Sequence, residues 1–142
     1  MFYMINGVFM SKIRFEFDQE RTIESIIYLA KHISHPTKLI ICKLLYFADL
    51  KSLDKYGRFI TGDKYVAMQH GPVPSNALDL INATADSANY GFKLDGRIIE
   101  PLRDFDPDEF SESDIEILQQ TVAGYGNYHV SHLVDLSHDN AY

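Results

Sequence analysis

The chain has 142 residues, of which 46% are hydrophobic and 23% charged, values typical of one globular domain rather than of disordered, collagen-like or disulfide-rich proteins. Its net charge of −7 disfavours direct binding to nucleic acid or anionic lipid and favours encounter with a basic protein. The longest apolar run, Leu39 to Phe47, contains Lys43 and is about half the length that spans a bilayer, so we expect a soluble protein without a membrane partner.

The amino-terminal residues differ from the rest of the chain in their residue pattern. Residues 1–12 are predicted to be an appendage without a secretory leader, with Met10 as an alternative start, and residues 13–142 to form one domain. Apolar and polar residues alternate over 13–17, which predicts a short strand. The single cysteine, Cys42, lies in an apolar run and fits a reducing compartment, so we expect a cytoplasmic location.

Two helices are predicted next. Helical spacing of apolar residues begins after Asp18, a candidate cap, and continues to Ile33 on one buried face. The second helix begins after Pro36 and ends near residues 55–57, where glycine permits a left-handed turn. Because this second segment is apolar around nearly its whole circumference, we predict that it is the central helix on which the others pack.

Residues 58–74 are predicted to form a shaped loop rather than a helix. Residues 62–63, Gly-Asp, predict a turn, and residues 65–69 alternate like a short strand. The following segment, His70 to Pro74, contains two prolines and is predicted to continue neither a helix nor a sheet ladder.

A short helix and a hairpin follow. Ser75 or Asn76 is predicted to cap the helix, which ends in the polar run over 82–89. Two apolar stretches flank Asp95-Gly96, a pair that tolerates positive φ, and this pattern predicts a two-residue hairpin.

The carboxy-terminal part is predicted to be helical again. Ser111 and Asp114 have the spacing of a capping box, and the helix is expected to stop at residues 124–126. Its buried stripe is predicted to consist of Ile115, Leu118 and Val122. A last short helix from Val130 to about Leu136 completes a mainly α fold, a compact single-domain helical bundle with a small β-hairpin insertion, α+β by content.

An acidic segment resembles part of a calcium-binding loop. Asp104, Asp106 and Asp108 match its first, third and fifth positions, but Glu109 and Ile115 replace the required glycine and the closing glutamate. Such a loop can neither make the required turn nor complete the coordination sphere of calcium. We therefore interpret the acidic residues as a solvent-exposed segment that leads into a helix.

Other signatures of chemistry are weak. Two histidine pairs at helical spacing lack a third metal ligand: His32 with His35, and His129 with His132. Cys42 has apolar neighbours and fits a core thiol better than a nucleophile. We predict no catalytic residue, metal or cofactor, although an enzyme that uses Asp63, Gln69 and His70 stays open as a rival interpretation.

Several short motifs run from the central helix to the start of the next one: Lys43–Asp49, Lys55–Arg58, Ile60–Asp63, Tyr65–Met68 and His70–Ser75. In this order they resemble the signature of the Panacea antitoxin domain, the domain of the Soc-type antitoxin, which is often found in prophage-associated proteins. The resemblance continues through residues 110–114, 125–126 and 133–138 and covers about residues 15–140. The chain departs from the family in having no tryptophan after residue 138, which suggests a shortened end.

The resemblance implies an antitoxin that neutralises a toxin encoded beside it by direct protein binding. Members of the family are paired with chemically unrelated toxins, so the resemblance does not identify the toxin. Because one relative delivers its toxin to a protease, an adaptor with a protease partner is one alternative, and a phage-borne neutraliser of a host defence toxin is another.

Residues of the motif divide into two expected roles. Scaffold maintenance is predicted for Gly57, Gly62, Gly71, Pro72 and Pro74. A toxin-binding surface is predicted for the polar and aromatic members Tyr46, Tyr56, Arg58, Asp63, Tyr65, Gln69 and His70. Tyrosine and arginine supply contact area and planar hydrogen bonding at interfaces, but tyrosine rings can equally cover the edge of a core.

Overall fold

The computed structural model describes the backbone of residues 4–5, 8–9 and 16–141 and the side chains of residues 16–138. Its elements in chain order are β1 (Met4–Ile5), β2 (Val8–Phe9), α1 (Gln19–His32), α2 (Lys38–Tyr56), β3 (Tyr65–Met68), β4 (Gly71–Pro74), α3 (Ser75–Ala83), β5 (Phe92–Asp95), β6 (Ile98–Pro101), a 3-10 turn (Pro107–Glu109), α4 (Glu112–Tyr125) and α5 (Val130–Ala141). The predicted mainly helical fold with a small β insertion is confirmed. Most of the strand predicted over 13–17 falls outside the described residues.

Helix α2 is the centre of the fold, as predicted. The Thr37 side chain accepts the N–H of Ile40 at its start, and Gly57, with a φ of +70°, ends it by donating to the Leu53 carbonyl. Every residue from Ile41 to Leu50 is buried, and α2 packs against the other four helices and β4. None of the described helices is long and apolar enough to cross a bilayer.

Helix α1 starts at its predicted cap, where the Asp18 side chain accepts the N–H of Arg21. The prediction of a single buried face was wrong, because the nine consecutive residues from Thr22 to Ala30 are all buried. The reason is the number of its neighbours: α1 contacts α2, α3, α4, β6 and the 3-10 turn.

The prediction that His70 to Pro74 joins no sheet ladder was also wrong, since β4 pairs in antiparallel register with β3. Ser75 donates its N–H to the carbonyl of Lys64 just beyond the ladder. Antiparallel pairs alternate between those that exchange hydrogen bonds and those that do not. Counting from that bond, Pro72 and Pro74 stand at pairs that exchange none, so their missing N–H groups break no ladder bond.

The predicted hairpin forms, with its turn one residue later than expected. Asp95 pairs with Ile98, so Gly96 and Arg97 make the turn rather than Asp95 and Gly96. Gly96 has a φ of +63°, which suits its place as the first residue of the turn.

The predicted capping box of α4 is present, with the Ser111 and Asp114 side chains each accepting the other residue's N–H. Leu118 is buried as predicted, Ile115 and Val122 are partly buried, and Ile117 is a buried position that the sequence analysis missed. Helix α5 continues to Ala141, beyond its predicted end near residue 136, and buries Leu133.

The acidic segment before α4 has structural partners. Glu24 on α1 is buried and accepts two hydrogen bonds from the Arg103 guanidinium, at 2.8 and 2.7 Å, and one from the N–H of Asp106 at 2.6 Å. Asp104 pairs with Lys31, and Asp106 caps the 3-10 turn. No group of three or more His, Cys, Asp or Glu residues within the described part of the chain is arranged to hold a metal ion.

Candidate functional site

The structure does not bring the seven predicted toxin-binding residues onto one surface. Three of them lie in the interior: Tyr46, Asp63 and Tyr65. Four are exposed: Tyr56, Arg58, Gln69 and His70. The first two of these lie at the carboxy-terminal end of α2, whereas the last two form the β3–β4 turn beside its amino-terminal half. At 1.5 Å per residue these two ends of α2 are about 25 Å apart.

A buried carboxylate that the sequence analysis did not single out holds the α2–β3 connection. Asp49 is 1% exposed and accepts the N–H groups of Ile60 and Thr61 at 2.8 and 2.9 Å. It also accepts the hydroxyls of Thr61 and Tyr65, the latter at 2.6 Å. Burial raises the pKa of Asp49, while these hydrogen bonds oppose the increase. The signature tyrosine Tyr65 therefore serves the scaffold through its hydroxyl.

Asp63 has a similar role at the start of α3. Its carboxylate accepts the N–H groups of Asn76 and Ala77 at 2.9 and 2.8 Å, and that of Lys64 at 2.7 Å. The prediction that Ser75 or Asn76 caps α3 was therefore wrong, since the cap comes from a residue earlier in the chain. With its oxygens committed to backbone amides, Asp63 is not placed to act as a general base beside His70.

Lys43 ties α2 to β4 from inside the protein. Its side chain is fully buried, and its ammonium donates to the carbonyl of Pro72 at 3.0 Å. Gly71, with a φ of +93°, has no side chain in this crowded place: a Cβ there would lie 3.1 Å from the Lys43 nitrogen and 2.6 Å from the Ser137 hydroxyl. The predicted scaffold role of Gly71 thus has a specific cause, the close approach of β4 to α2 and α5.

Burial lowers the pKa of Lys43 from 10.5 to about 8. Between those values the unfolded chain binds a proton that the folded chain has lost, so stability contributed by Lys43 rises with pH and is lost as pH falls through about 8. We expect the free energy of unfolding of wild type to gain about 1–3 kcal/mol relative to Lys43→Met between neutral pH and pH ~10. Urea unfolding at several pH values measures this gain.

Lys51→Met, on the same helix, is the control for the Lys43 experiment and should follow wild type across the pH range. Parallel curves for wild type and Lys43→Met would contradict the pKa assigned to Lys43.

At the carboxy-terminal end of α2 the exposed signature residues have partners on α4. Tyr56 donates its hydroxyl to Glu116 at 2.9 Å, and Lys55 pairs with the same carboxylate. Arg58 donates to the Ser111 hydroxyl at 2.9 Å and to that of Ser113. These polar groups fasten α2 to the start of α4, so their hydrogen-bonding capacity is largely used within the chain.

Cys42 is buried, and burial raises its pKa to about 12, so the thiol stays protonated at neutral pH. A thiolate nucleophile is therefore not available at this position.

A family model described as "Antitoxin SocA-like, Panacea domain" matches residues 41–141. No curated protein and no solved structure shows a significant match to the chain. The match begins inside α2, so the resemblance predicted over about residues 15–140 is supported from residue 41 onward, and its extension over α1 stays a prediction. The matched segment holds Lys43, Asp49 and Asp63, the buried polar residues that join α2, the β3–β4 hairpin and α3. Since the family model covers more than half of the chain, the protein belongs to the SocA-like antitoxin family with a Panacea domain.

Proposed function

We propose that this protein neutralises a cognate toxin, encoded beside it, by direct binding in the cytoplasm, and that it is not an enzyme. Family membership over residues 41–141 is the observation that carries the proposal. The geometry supports it, because the buried carboxylates of the signature hold backbone amides and hydroxyls rather than lining a reaction site. We therefore assign toxin binding to the exposed surface of this scaffold.

The scaffold suits a binding role because it is already ordered. Polar contacts fix both ends of the β3–β4 hairpin, at Tyr65 and at Pro72, and α2 beneath it is buried from Ile41 to Leu50. A surface fixed before the partner arrives loses little conformational freedom on binding, which favours tight association. Of the exposed signature residues, Gln69 and His70 are the proposed toxin contacts, whereas Tyr56 and Arg58 join the end of α2 to the start of α4.

Co-expression with the neighbouring open reading frame tests the proposal. We expect that the neighbouring product alone stops growth, that this chain restores growth, and that the two proteins co-purify. The double variant Gln69→Ala, His70→Ala removes two exposed polar side chains at the β3–β4 turn. It is expected to fold and to bind the toxin about tenfold more weakly, which reduces the amount of toxin that co-purifies.

Rescue without a stable complex, accompanied by protease-dependent loss of the toxin, would favour the adaptor alternative. Rescue only against a defence toxin of the host would favour the phage-borne neutraliser. No rescue and no complex with any of these partners would contradict an antitoxin role.

A further inference from the structure

Two apolar grooves flank the amino-terminal half of α2. One, of about 510 Å³, lies between Lys38 to Ile40, the β5–β6 turn at Arg97 and the start of α5 at Val130. The other, of about 260 Å³, lies between Leu39, Met68 and Val73. Lys38 and Leu39 line both grooves, so the grooves adjoin at these residues and together make up one strip. We call this strip, from Tyr128 and Arg97 across Leu39 to Met68, the α2 entry face.

The floor of the α2 entry face is apolar and partly open to solvent. Met68 is 53% exposed and Tyr128 is 39% exposed, at opposite ends of the strip. Leu39, Ile40 and Val130 are partly buried between them. Large side chains of this kind anchor interfaces when a partner covers them, because the apolar area then leaves water.

The rim of the face carries donors for which no described residue provides an acceptor. The side chains of Arg97, His35, Gln69 and His70 make no hydrogen bond or ion pair with any residue that the structure describes. This contrasts with the opposite end of α2, where Tyr56 and its neighbours are bonded to α4. Unused donors beside an apolar floor are the arrangement expected of a surface that is completed by a partner.

The face is also the opposite in charge to the chain as a whole. No aspartate or glutamate lines either groove within the described residues, whereas Lys38 and Arg97 both do, and the chain has a net charge of −7. The first turn of α2 contains no acidic residue, so the positive end of its dipole adds to the same field. This local positive charge would attract an acidic segment, whereas it would not attract a neutral or basic one.

The parts of the face are held together by backbone bonds. Lys38 donates its N–H to the carbonyl of Arg97 at 2.8 Å, and Ile99 donates to that of Pro36 at 2.9 Å. The Lys38 ammonium is itself positioned by Asn82, at 3.0 Å. The backbone positions that carry the two cations therefore keep a fixed relation to each other and to the apolar floor.

We propose that the α2 entry face binds an acidic segment of the partner protein, whose apolar side chains fill the two grooves while its carboxylates meet Lys38 and Arg97. The proposal rests on the proposed antitoxin function and adds to it the surface and the chemistry of the toxin segment. It places Gln69 and His70 at the interface and Tyr56 and Arg58 outside it.

A pair of synthetic amphipathic helices of about 18 residues tests the proposal without any toxin. Both have leucine on one face of the helix. All remaining positions are glutamate in the first peptide and lysine in the second. Fluorescence anisotropy with the full chain should show that the glutamate peptide binds at least about tenfold more tightly, against the sign of the net charge. Amide chemical shifts should change at Leu39, Met68 and Val130.

Charge reversal then locates the contact. Lys38→Glu with Arg97→Glu should weaken the glutamate peptide at least about tenfold and favour the lysine peptide instead. The control with the same change in net charge, Lys64→Glu with Lys93→Glu, lies on exposed positions outside both grooves and should leave the affinity unchanged.

Equal or tighter binding of the lysine peptide, absence of glutamate-peptide binding, or shifts confined to another surface would overturn the proposal. The proposal would also be overturned if this chain formed a dimer that the Lys38→Glu, Arg97→Glu substitutions abolish. Binding of a single-stranded oligonucleotide to this face at physiological salt would overturn it as well. Because the peptides replace the toxin, a failed growth rescue leaves these results interpretable, and a failed peptide experiment leaves the antitoxin role standing.

Discussion

Asp49→Ala is expected to lower the free energy of unfolding by about 3–5 kcal/mol, since it leaves several buried donors without an acceptor. The donors are the amides of Ile60 and Thr61 and the hydroxyls of Thr61 and Tyr65. Their loss frees the segment between α2 and β3, so the hairpin should also exchange its amide hydrogens faster. Urea unfolding and hydrogen exchange measure the two effects.

Two further variants separate hydrogen bonding from packing at Asp49. Asp49→Asn keeps the shape of the side chain and one acceptor oxygen. The Thr61 and Tyr65 hydroxyls can rotate to accept hydrogen bonds from the new amide group. We therefore expect a smaller loss in the free energy of unfolding, about 1–2 kcal/mol. Asp54→Ala, at an exposed position of the same helix, should change stability by less than ~0.5 kcal/mol. Equal losses for Asp49→Ala and Asp54→Ala would contradict the role given to Asp49.

Gly62→Ala is expected to cost about 3 kcal/mol or more, because two effects add at this position. Gly62 has a φ of +69°, which L side chains adopt at a cost of about 1–2 kcal/mol. A Cβ there would also lie 2.9 Å from the backbone carbonyl carbon of Glu16 and closer still to its oxygen. The segment leading into α1 would have to move away, although Asp18 is bonded there to the Thr61 carbonyl at 2.8 Å.

Gly57→Ala is the matched control for this prediction. Gly57 has nearly the same φ, +70°, but a Cβ there meets nothing within 4 Å. Only the backbone cost of about 1–2 kcal/mol should appear. Thermal unfolding of the two variants side by side gives the contribution of the close approach, and identical losses would show that the Glu16 backbone yields without cost.

Local signals in the sequence were sufficient for most of the fold. The Asp18 cap, the Ser111–Asp114 capping box and the hairpin around Gly96 each depend on neighbours within a few residues, and the structure contains all three. The proline-containing strand β4 was missed because its existence depends on register with β3, which places both prolines between ladder bonds.

The polar interior of the site was harder to predict because its partners are distant in sequence. Asp63 caps α3 by accepting amides 13 and 14 residues later, and Asp49 bonds to residues 11 to 16 positions away. One signal was available: Lys43 and Asp49 lie within the stretch of α2 that is apolar on nearly all sides, so burial with a partner is the expected state of both. Which exposed residues meet a toxin has no such local signature, because that depends on the partner's surface as well.

The most direct test of the account is a titration of the purified toxin from the neighbouring gene with this chain, following binding heat and residual toxin activity together. Direct neutralisation predicts that activity falls linearly and reaches zero at one chain per toxin molecule, at the same point where the binding heat ends. Full activity at an excess of the chain, or complete inactivation by a small fraction of an equivalent, would contradict neutralisation by stoichiometric binding.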